Sequence, residues 1–478
     1  MTLENKKSEN LSAWYIEVIQ RAQLADYSPV QGCIVFRETA YAIWERIREI
    51  LDRMLKETGH RNVYFPLFIP ESLLRKEAEH FEGFVPECAW VTIGGGSELG
   101  ERLAIRPTSE TIIYSMYSKW IRGWRDLPVK LNQWCNVVRW ETKMTKPFLR
   151  TREFLWQEGH TCHATLEEAE EEIKLILQIY RRLIEEHLAI PVLVGIKSES
   201  EKFAGAFYTA TLEAMMPDGK ALQAGTVHNL GQNFSKPFEI IFQDRDGENK
   251  YVWQTSWGVS TRLIGAMIMV HGDDKGLIIP PKVAPIQVVC IPIFYKEEET
   301  ETILEEVERV RETLLESGVR AEVDIRREYT PGWKFNEWEL RGVPLRVEIG
   351  PRDVREGKVT LARRDTGERI SVEEEEIVEK VEEMLNEIQK NLFERAKKFL
   401  EDMTEEASSY DNMIEILRKR GGFVRAEWCG SPECEKRVKE ESGATIRLIP
   451  PGEKGVGRKT CIVCGRKSKY IVYFARAY

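Results

Sequence analysis

No stretch of the 478 residues is apolar for long enough to span a bilayer, and 31% of the chain is charged, which excludes a membrane-embedded protein and predicts a soluble one. The opening MTLENKKSENLSAWYIEVIQRAQL lacks the apolar core of a secretion signal and carries glutamate early, so retention in the cytoplasm is expected. Cationic excess is missing as well: the formal net charge is −9, whereas nucleic-acid binders usually show a basic balance. Nine cysteines are an odd count, and five of them (Cys33, Cys88, Cys135, Cys162, Cys290) are scattered. Reduced thiols fit this better than a disulfide framework. Gly94-Gly-Gly-Ser97 is followed by neither Lys-Ser/Thr nor a helix, so it reads as a turn and not as a phosphate cradle.

The chain is too long for one core, and two to four domains are expected. At its centre, Val137 to Thr161 reads VVRWETKMTKPFLRTREFLWQEGHT, two strands joined by a charged loop. Side chains at i and i+2 share a face of a strand. Arg139 therefore projects with Glu141, and Phe154 with Trp156, Glu158 and His160. Lys143, Lys146 and Arg150 in the loop would complete a site for a polyanion with a flat base stacked beside it. A solvated hairpin with cross-strand ion pairs is the alternative. The opposite face, Leu155 and Gln157, does not plainly read as core, so pattern alone leaves both readings open.

The flanking elements are read from periodicity. Residues 14–27 form an amphipathic helix, and residues 39–57 a long one with Ile43, Ile47, Ile50, Leu51, Met54 and Leu55 on one side. A strand covers residues 63–69 despite Pro66. Arg106-Pro-Thr-Ser-Glu110 starts a helix reaching Trp120, with Pro107 and Glu110 as start signals. A charged helix spans residues 167–187. Gly225 in Gln223-Ala-Gly-Thr226-Val-His228 permits close backbone approach to a ligand. Residues 254–272 read as strand, turn and buried helix, with Arg262 at the entry where phosphate can be held.

Pro280-Pro281-Lys-Val-Ala-Pro285 is a stiff boundary. Beyond it strands and helices alternate up to residue 348, which implies an α/β domain with some parallel pairing. Residues 325–370 carry eleven bases against eight acids, while residues 296–317 carry nine acids against three bases, so any RNA contact belongs to the first of these segments. Residues 371–403 read as one long charged helix. Cys429-x4-Cys434 and Cys461-x2-Cys464, 26 residues apart, suit a closed tetrahedral shell around structural Zn2+.

Arg139-x-Glu141, a variable loop and Arg150-x-x-x-Phe154 resemble motif 2 of the class II aminoacyl-tRNA synthetases. The words RPTSET (106–111), NVVRWE (136–141), FLWQEGHT (154–161), QAGT-x-H (223–228) and SWG-x-STR (256–262) narrow the resemblance to the prolyl-tRNA synthetase family, in the form with a zinc-binding C-terminal domain. Only about a hundred residues separate Phe154 from Trp257, which leaves no room for the large editing insertion of some relatives. The match runs in order from about Trp14 to Tyr478.

The resemblance implies ligation of L-proline to tRNA(Pro), driven by ATP, in a homodimer whose interface uses the long helix and the strand around Pro66 or Pro70. It implies an α+β catalytic domain built on an antiparallel sheet (1–282), an α/β anticodon-binding domain (283–372), a helical connector (373–408) and a small zinc-binding α+β domain (409–478). By the same resemblance Arg139, Arg262 and Glu110 are catalytic, and Thr108, Glu110, Arg139, Trp156, Glu158, His160, Phe203 and His228 meet the amino acid. Arg139, Glu141, Arg150, Thr151, Phe154, Gln223, Thr226, Ser260 and Arg262 meet ATP. Glu348, Arg352 and Arg363 meet the anticodon, Cys429, Cys434, Cys461 and Cys464 hold Zn2+, and Tyr478 tucks near the active site. Mg2+ bridges the phosphates, although the chain offers no carboxylate cluster dedicated to it. A class II synthetase for another amino acid and a non-catalytic tRNA-binding paralogue are the alternatives. The paralogue is disfavoured by the presence of Arg139, Arg150 and Arg262 together.

Overall fold

The computed structural model describes residues 3–78, 87–140, 144–294, 300–452 and 460–478, without the side chains of 76–78. Its largest sheet is assembled from β1 (Arg61–Asn62), β2 (Val129–Val138), β3 (Glu153–His163), β4 (Leu193–Ile196), β5 (Tyr208–Met215), β6 (Ala221–Gly231) and β7 (Trp253–Ser260). The spatial order is β1-β2-β3-β7-β6-β5-β4. Every neighbouring pair is antiparallel except β1 and β2, which run parallel.

One face of this sheet is packed by α1 (Leu11–Arg21), α2 (Glu38–Glu57), α4 (Leu166–Arg182) and α5 (Arg262–His271), while α3 (Glu110–Trp120) serves the other. Trp14, Ile47, Ile176, Tyr180 and Met267 bury together with Leu212, Val227 and Trp257 of the strands. The face of β3 that the pattern left undecided turns out to belong to this core. Leu155 packs against it, and Gln157 is fully buried because Nε2 donates to Asn132 (2.7 Å) and Oε1 accepts from the Tyr180 hydroxyl (2.7 Å). Gly159 lies beneath the Trp257 ring, where a Cβ would stand 2.1 Å from a ring carbon. On the opposite face, at one end, Tyr117 of α3 donates to the His160 carbonyl (2.8 Å).

Several boundaries differ from expectation. α1 stops at Arg21, and Ala25–Tyr27 instead pairs with Ile34–Phe36. The strand expected over 63–69 is interrupted, leaving β1 and a separate Phe68–Pro70. Pro66 has no N–H to give a ladder, and the Phe65 N–H goes to the Gln133 side chain (2.5 Å). α3 begins at Glu110, not at Pro107. The preceding turn is held by Arg106, whose buried guanidinium donates to the carbonyls of Phe65 (2.7 Å) and Asn136 (2.8 Å). Gly95 and Gly96, at φ +58° and +83°, make the expected turn between Ala89–Gly94 and Ser97–Ile105.

A second sheet holds β8 (Val288–Pro292), β9 (Ala321–Val323), β10 (Leu345–Ile349), β11 (Lys358–Arg363) and β12 (Arg369–Glu373), in the order β9-β8-β10-β11-β12. β8 runs parallel to both neighbours, as expected. β12 takes residues that read as helix, so α6 spans only Ile377–Asp402. A third sheet, β13 (Thr404–Glu406), β14 (Phe423–Trp428), β15 (Ala444–Leu448) and β16 (Tyr470–Arg476), is ordered β13-β14-β16-β15 and packed by α7 (Pro432–Ser442). Reciprocal backbone bonds between Ile196 and Ile449 (3.0 and 2.8 Å) attach this region to the end of β4. No helix among the described residues is long and apolar enough to cross a membrane.

Two buried histidines make the fold sensitive to acid. His271 Nε2 donates to the Leu188 carbonyl (2.7 Å), while its Nδ1 has no hydrogen-bond partner among the described residues. Burial depresses its pKa to about 3 and that of His163 to about 4, from 6.5. Both are neutral when folded, whereas the unfolded chain binds protons near pH 6.5. Their contribution is therefore intact above that pH and lost as pH falls toward 4. By pH 5 each costs about 2 kcal/mol. The urea midpoint of unfolding should drop between pH 7 and pH 5, and His271→Asn should flatten that dependence. A midpoint unchanged over this range would contradict the assignment.

Candidate active site

Sheet register lays the polar side chains out in rows. Thr209 pairs with His228, His228 with Ser256, and Ser256 with His160. Two residues along, Thr226 faces Gly258, Gly258 faces Glu158 and Glu158 faces Gln133. A third row pairs Ser260 with Trp156. Because side chains alternate strictly along a strand, all three rows line the same face, and Gly258 leaves the middle row open. They floor a cavity of about 620 Å³, within the roughly 300–1,000 Å³ of small-molecule clefts.

At one end of this cavity Glu158 and His160 form a buried ion pair, Oε2 to Nε2 3.1 Å. Ser109 Oγ (2.5 Å) and Gln133 Nε2 (2.9 Å) also donate to Glu158. Ser109 occupies the N-cap position of α3 without capping it; its hydroxyl is committed to the cavity instead. Burial opposes charge on both partners, but these bonds hold the Glu158 carboxyl below the usual range. The bond to Glu158 and the charge of Glu110 hold His160 above its own. Beside them the Thr108 hydroxyl donates to Glu110, both residues being buried. His228, bonded through Nδ1 to Thr209 (2.8 Å), is pushed down to about 3 by burial and then by the charges of His160 and Arg139. It is a neutral imidazole, and the Phe203 ring lies 4.7 Å from it. Ser256 Oγ is buried between the two histidines with no partner among the described residues, a hydroxyl left for a ligand.

The other end is cationic. Arg262 opens α5 with its N–H on Ser260 Oγ (3.2 Å), Nε on the Leu149 carbonyl (3.2 Å) and Nη1 on the Gln223 carbonyl (3.4 Å). Arg150 exchanges backbone bonds with Lys146 (2.7 and 2.9 Å). Between the two ends stands Arg139, one residue past β2. Its N–H still reaches the Arg152 carbonyl (2.7 Å), and Nε donates to the Pro107 carbonyl (3.2 Å). Its guanidinium lies 5.4 and 5.5 Å from the ring centres of Phe154 and Trp156.

The cavity thus brings together Thr108, Glu110, Arg139, Arg150, Phe154, Trp156, Glu158, His160, Phe203, Gln223, Thr226, His228, Ser260 and Arg262. Glu141 lies outside the described residues. Thr151 is not in the lining, for its hydroxyl turns to the Glu153 carbonyl (2.7 Å). Gly225 lines the cavity with its backbone, while a Cβ there would point to the core side and meet Val259, Tyr180 and Leu212 at 3.2–3.4 Å. Sequence reading missed Ser109, Gln133, Thr209 and Ser256. Ser109 lies within RPTSET and Ser256 within SWG-x-STR, whereas Gln133 and Thr209 enter only through cross-strand register.

Away from the cavity, the Cys429 Sγ lies 3.7 Å from those of Cys434 and Cys464, and all four sulfurs, Cys461 included, fall within 4.8 Å of one another. A tetrahedral zinc shell with bonds of about 2.3 Å places sulfurs about 3.8 Å apart, so the donor set fits that ion. Glu348 is buried against Arg346 (2.8 Å) and Arg369, and Arg363 against Asp365 (3.0 Å) and Glu387 (2.7 Å). Arg352 is exposed, its Nε 2.8 Å from Glu356. The Tyr478 hydroxyl bonds Asp218 (2.7 Å), and the Lys146 ammonium lies 5.4 Å from its ring centre, which ties the residue to the loop carrying Arg150.

Residues 90–271 match the model of the tRNA synthetase class II core domain (G, H, P, S and T), residues 287–384 that of an anticodon binding domain, and residues 410–478 that of the prolyl-tRNA synthetase C-terminal region. A proline–tRNA ligase of Natranaerobius thermophilus is 57% identical over 474 residues, 99% of this chain and 97% of its own length. Those of Cenarchaeum symbiosum and Alkaliphilus oremlandii are 55% and 54% identical, over 99% and 98% of this chain and 98% and 96% of theirs. The chain belongs to the proline–tRNA ligase family of class II aminoacyl-tRNA synthetases.

Proposed function

We propose that the cavity activates L-proline with ATP and that the chain then transfers proline to the 3′ end of tRNA(Pro). The observation that carries this reading is the meeting of Glu110, Arg139 and Arg262 in one cavity. The substrate carboxylate is already ionised and needs no general base. One of its oxygens attacks the α-phosphorus, the bond from that phosphorus to the β-phosphate oxygen breaks, and pyrophosphate leaves with the electron pair. Catalysis is then positioning and charge neutralisation. Glu110, braced by Thr108, takes the secondary ammonium, while Trp156, Phe203 and neutral His228 enclose the ring over the fixed Glu158–His160 pair. Arg139 spans carboxylate and α-phosphate. Arg150 and Arg262 take the outer phosphates, Phe154 supports adenine with Glu141 on its amino group, and Gln223, Thr226 and Ser260 complete the nucleotide contacts.

Mg2+ we assign to the phosphate oxygens of bound ATP, and Zn2+ to Cys429, Cys434, Cys461 and Cys464, where it would cross-link the third sheet. We divide the chain into catalytic (1–282), anticodon-binding (283–372), connecting (373–408) and zinc-binding (409–478) parts, with Glu348, Arg352 and Arg363 meeting the anticodon. We further infer a cytoplasmic homodimer. Tyr41 of α2, with Tyr64 and Phe68 beside Pro66, leaves large aromatic surface exposed, as an interface would.

Exchange of pyrophosphate into ATP, screened with all twenty amino acids, tests the reading. Proline should drive exchange. Exchange driven by a different amino acid would reassign the substrate, and none at all from folded, zinc-loaded protein would favour the tRNA-binding paralogue.

A further inference from the structure

The wall of the cavity at the amino-acid end is not held by the catalytic region alone. Lys197, Glu201, Lys202 and Phe203 line it from the segment that follows β4. The Ser198 carbonyl accepts from the N–H groups of Glu201 (3.2 Å) and Lys202 (3.0 Å), which makes Ser198 the pivot of that turn. Its side chain points away from the cavity and donates to Glu435 Oε1 (2.8 Å), while Ser200 donates to Glu435 Oε2 (2.5 Å). Glu435 is buried, and among the described residues no cation comes within ion-pair distance of it. A buried carboxylate satisfied by two hydroxyls depends on both. Residue 435 follows Cys434 on α7, and successive helical side chains diverge by about 100°. One therefore turns to the sulfur cluster and the other to the cavity wall.

A second tie runs parallel to this one. Buried Arg447 of β15 donates to both oxygens of Glu213 on β5 (3.1 Å each), and Lys197 meets the same carboxylate at 2.6 Å.

We propose that Glu435 is a positioning residue that locks the 198–203 wall of the amino-acid pocket from the zinc-binding region, with Arg447 as its support. The geometry thereby makes the affinity for the amino acid depend on how α7 is seated, while the nucleotide end does not. The kinetic readout rests on the function proposed above; the structural readout does not.

Two measurements on the full-length, zinc-loaded protein decide it. In Glu435→Ala, amide hydrogen exchange across 198–206 should accelerate about tenfold while the rest of the large sheet is unchanged. The KM for proline should rise about tenfold, with kcat and the KM for ATP within twofold. Glu435→Gln, which retains one acceptor oxygen, should recover part of both effects. Should Glu435→Ala lose zinc on metal analysis, Ser198→Ala with Ser200→Ala removes the same bonds from the other side and must give the same result. Unchanged exchange and unchanged KM in that pair would overturn the proposal even with wild-type activity intact. Accelerated exchange in a protein that activates no amino acid would instead sustain the positioning role and remove the proposed function.

Discussion

Replacing Arg139 with alanine will lower kcat/KM for proline-dependent exchange by about a thousandfold, or about 4 kcal/mol of transition-state stabilisation. Its backbone is fixed to Arg152 and its Nε to the Pro107 carbonyl, so the guanidinium is aimed before any substrate arrives. Attack of a carboxylate on a phosphate gathers negative charge where this group sits, between the Glu110 end and the Arg262 end of the cavity. No proton transfer in the proposed step could compensate for its loss. Arg139→Lys restores charge without the planar fork and should recover only part of the rate. Thermal unfolding of the variant should match the wild type, since the side chain contributes to the cavity and not to the core. A loss below tenfold in a folded variant would remove Arg139 from the reaction.

Removing zinc should have the largest effect on stability. Cys429, Cys434 and Cys461 are part of the same small core as Met413, Val424, Trp428, Val438, Ile446 and Phe474, so the thiol cluster and the packing of the third sheet are one structure. Structural zinc contributes on the order of 10 kcal/mol to small domains, as much as a whole domain's net stability. After chelation, amides of β14, β15 and β16 should lose protection while β3, β6 and β7 keep theirs. Elemental analysis should find about one zinc per chain beforehand. Retained protection in demonstrably zinc-free protein would make the four thiols dispensable for folding.

The catalytic motifs were legible because they concentrate rare chemistry at fixed spacing. Period-two placement of Phe154, Trp156, Glu158 and His160 was enough to put them on one face, and the structure keeps them there. Tertiary context decided the rest. Gln157 looked polar and proved to be core, since Asn132 and Tyr180 reach it from elements that local pattern does not connect. Gly225 lines the cavity, but its lack of a side chain also admits Val259 and Tyr180 from the core side, which no local pattern announces. The start of α3 was misplaced because Ser109, in the capping position, spends its hydroxyl on Glu158. The hairpin of β11 and β12 was missed because its second strand merges into the acidic run that opens α6.

The rows of paired side chains also govern how this chain can change in length. β7 is flanked by β3 on one side and β6 on the other, and inserting or deleting one residue within it would exchange its two faces. Trp257 would enter the cavity, Ser256 the core, and the void above Gly159 would be left unfilled. Length variation must therefore be absorbed in the connections, and a sequence that differs inside β7 must differ by substitution alone.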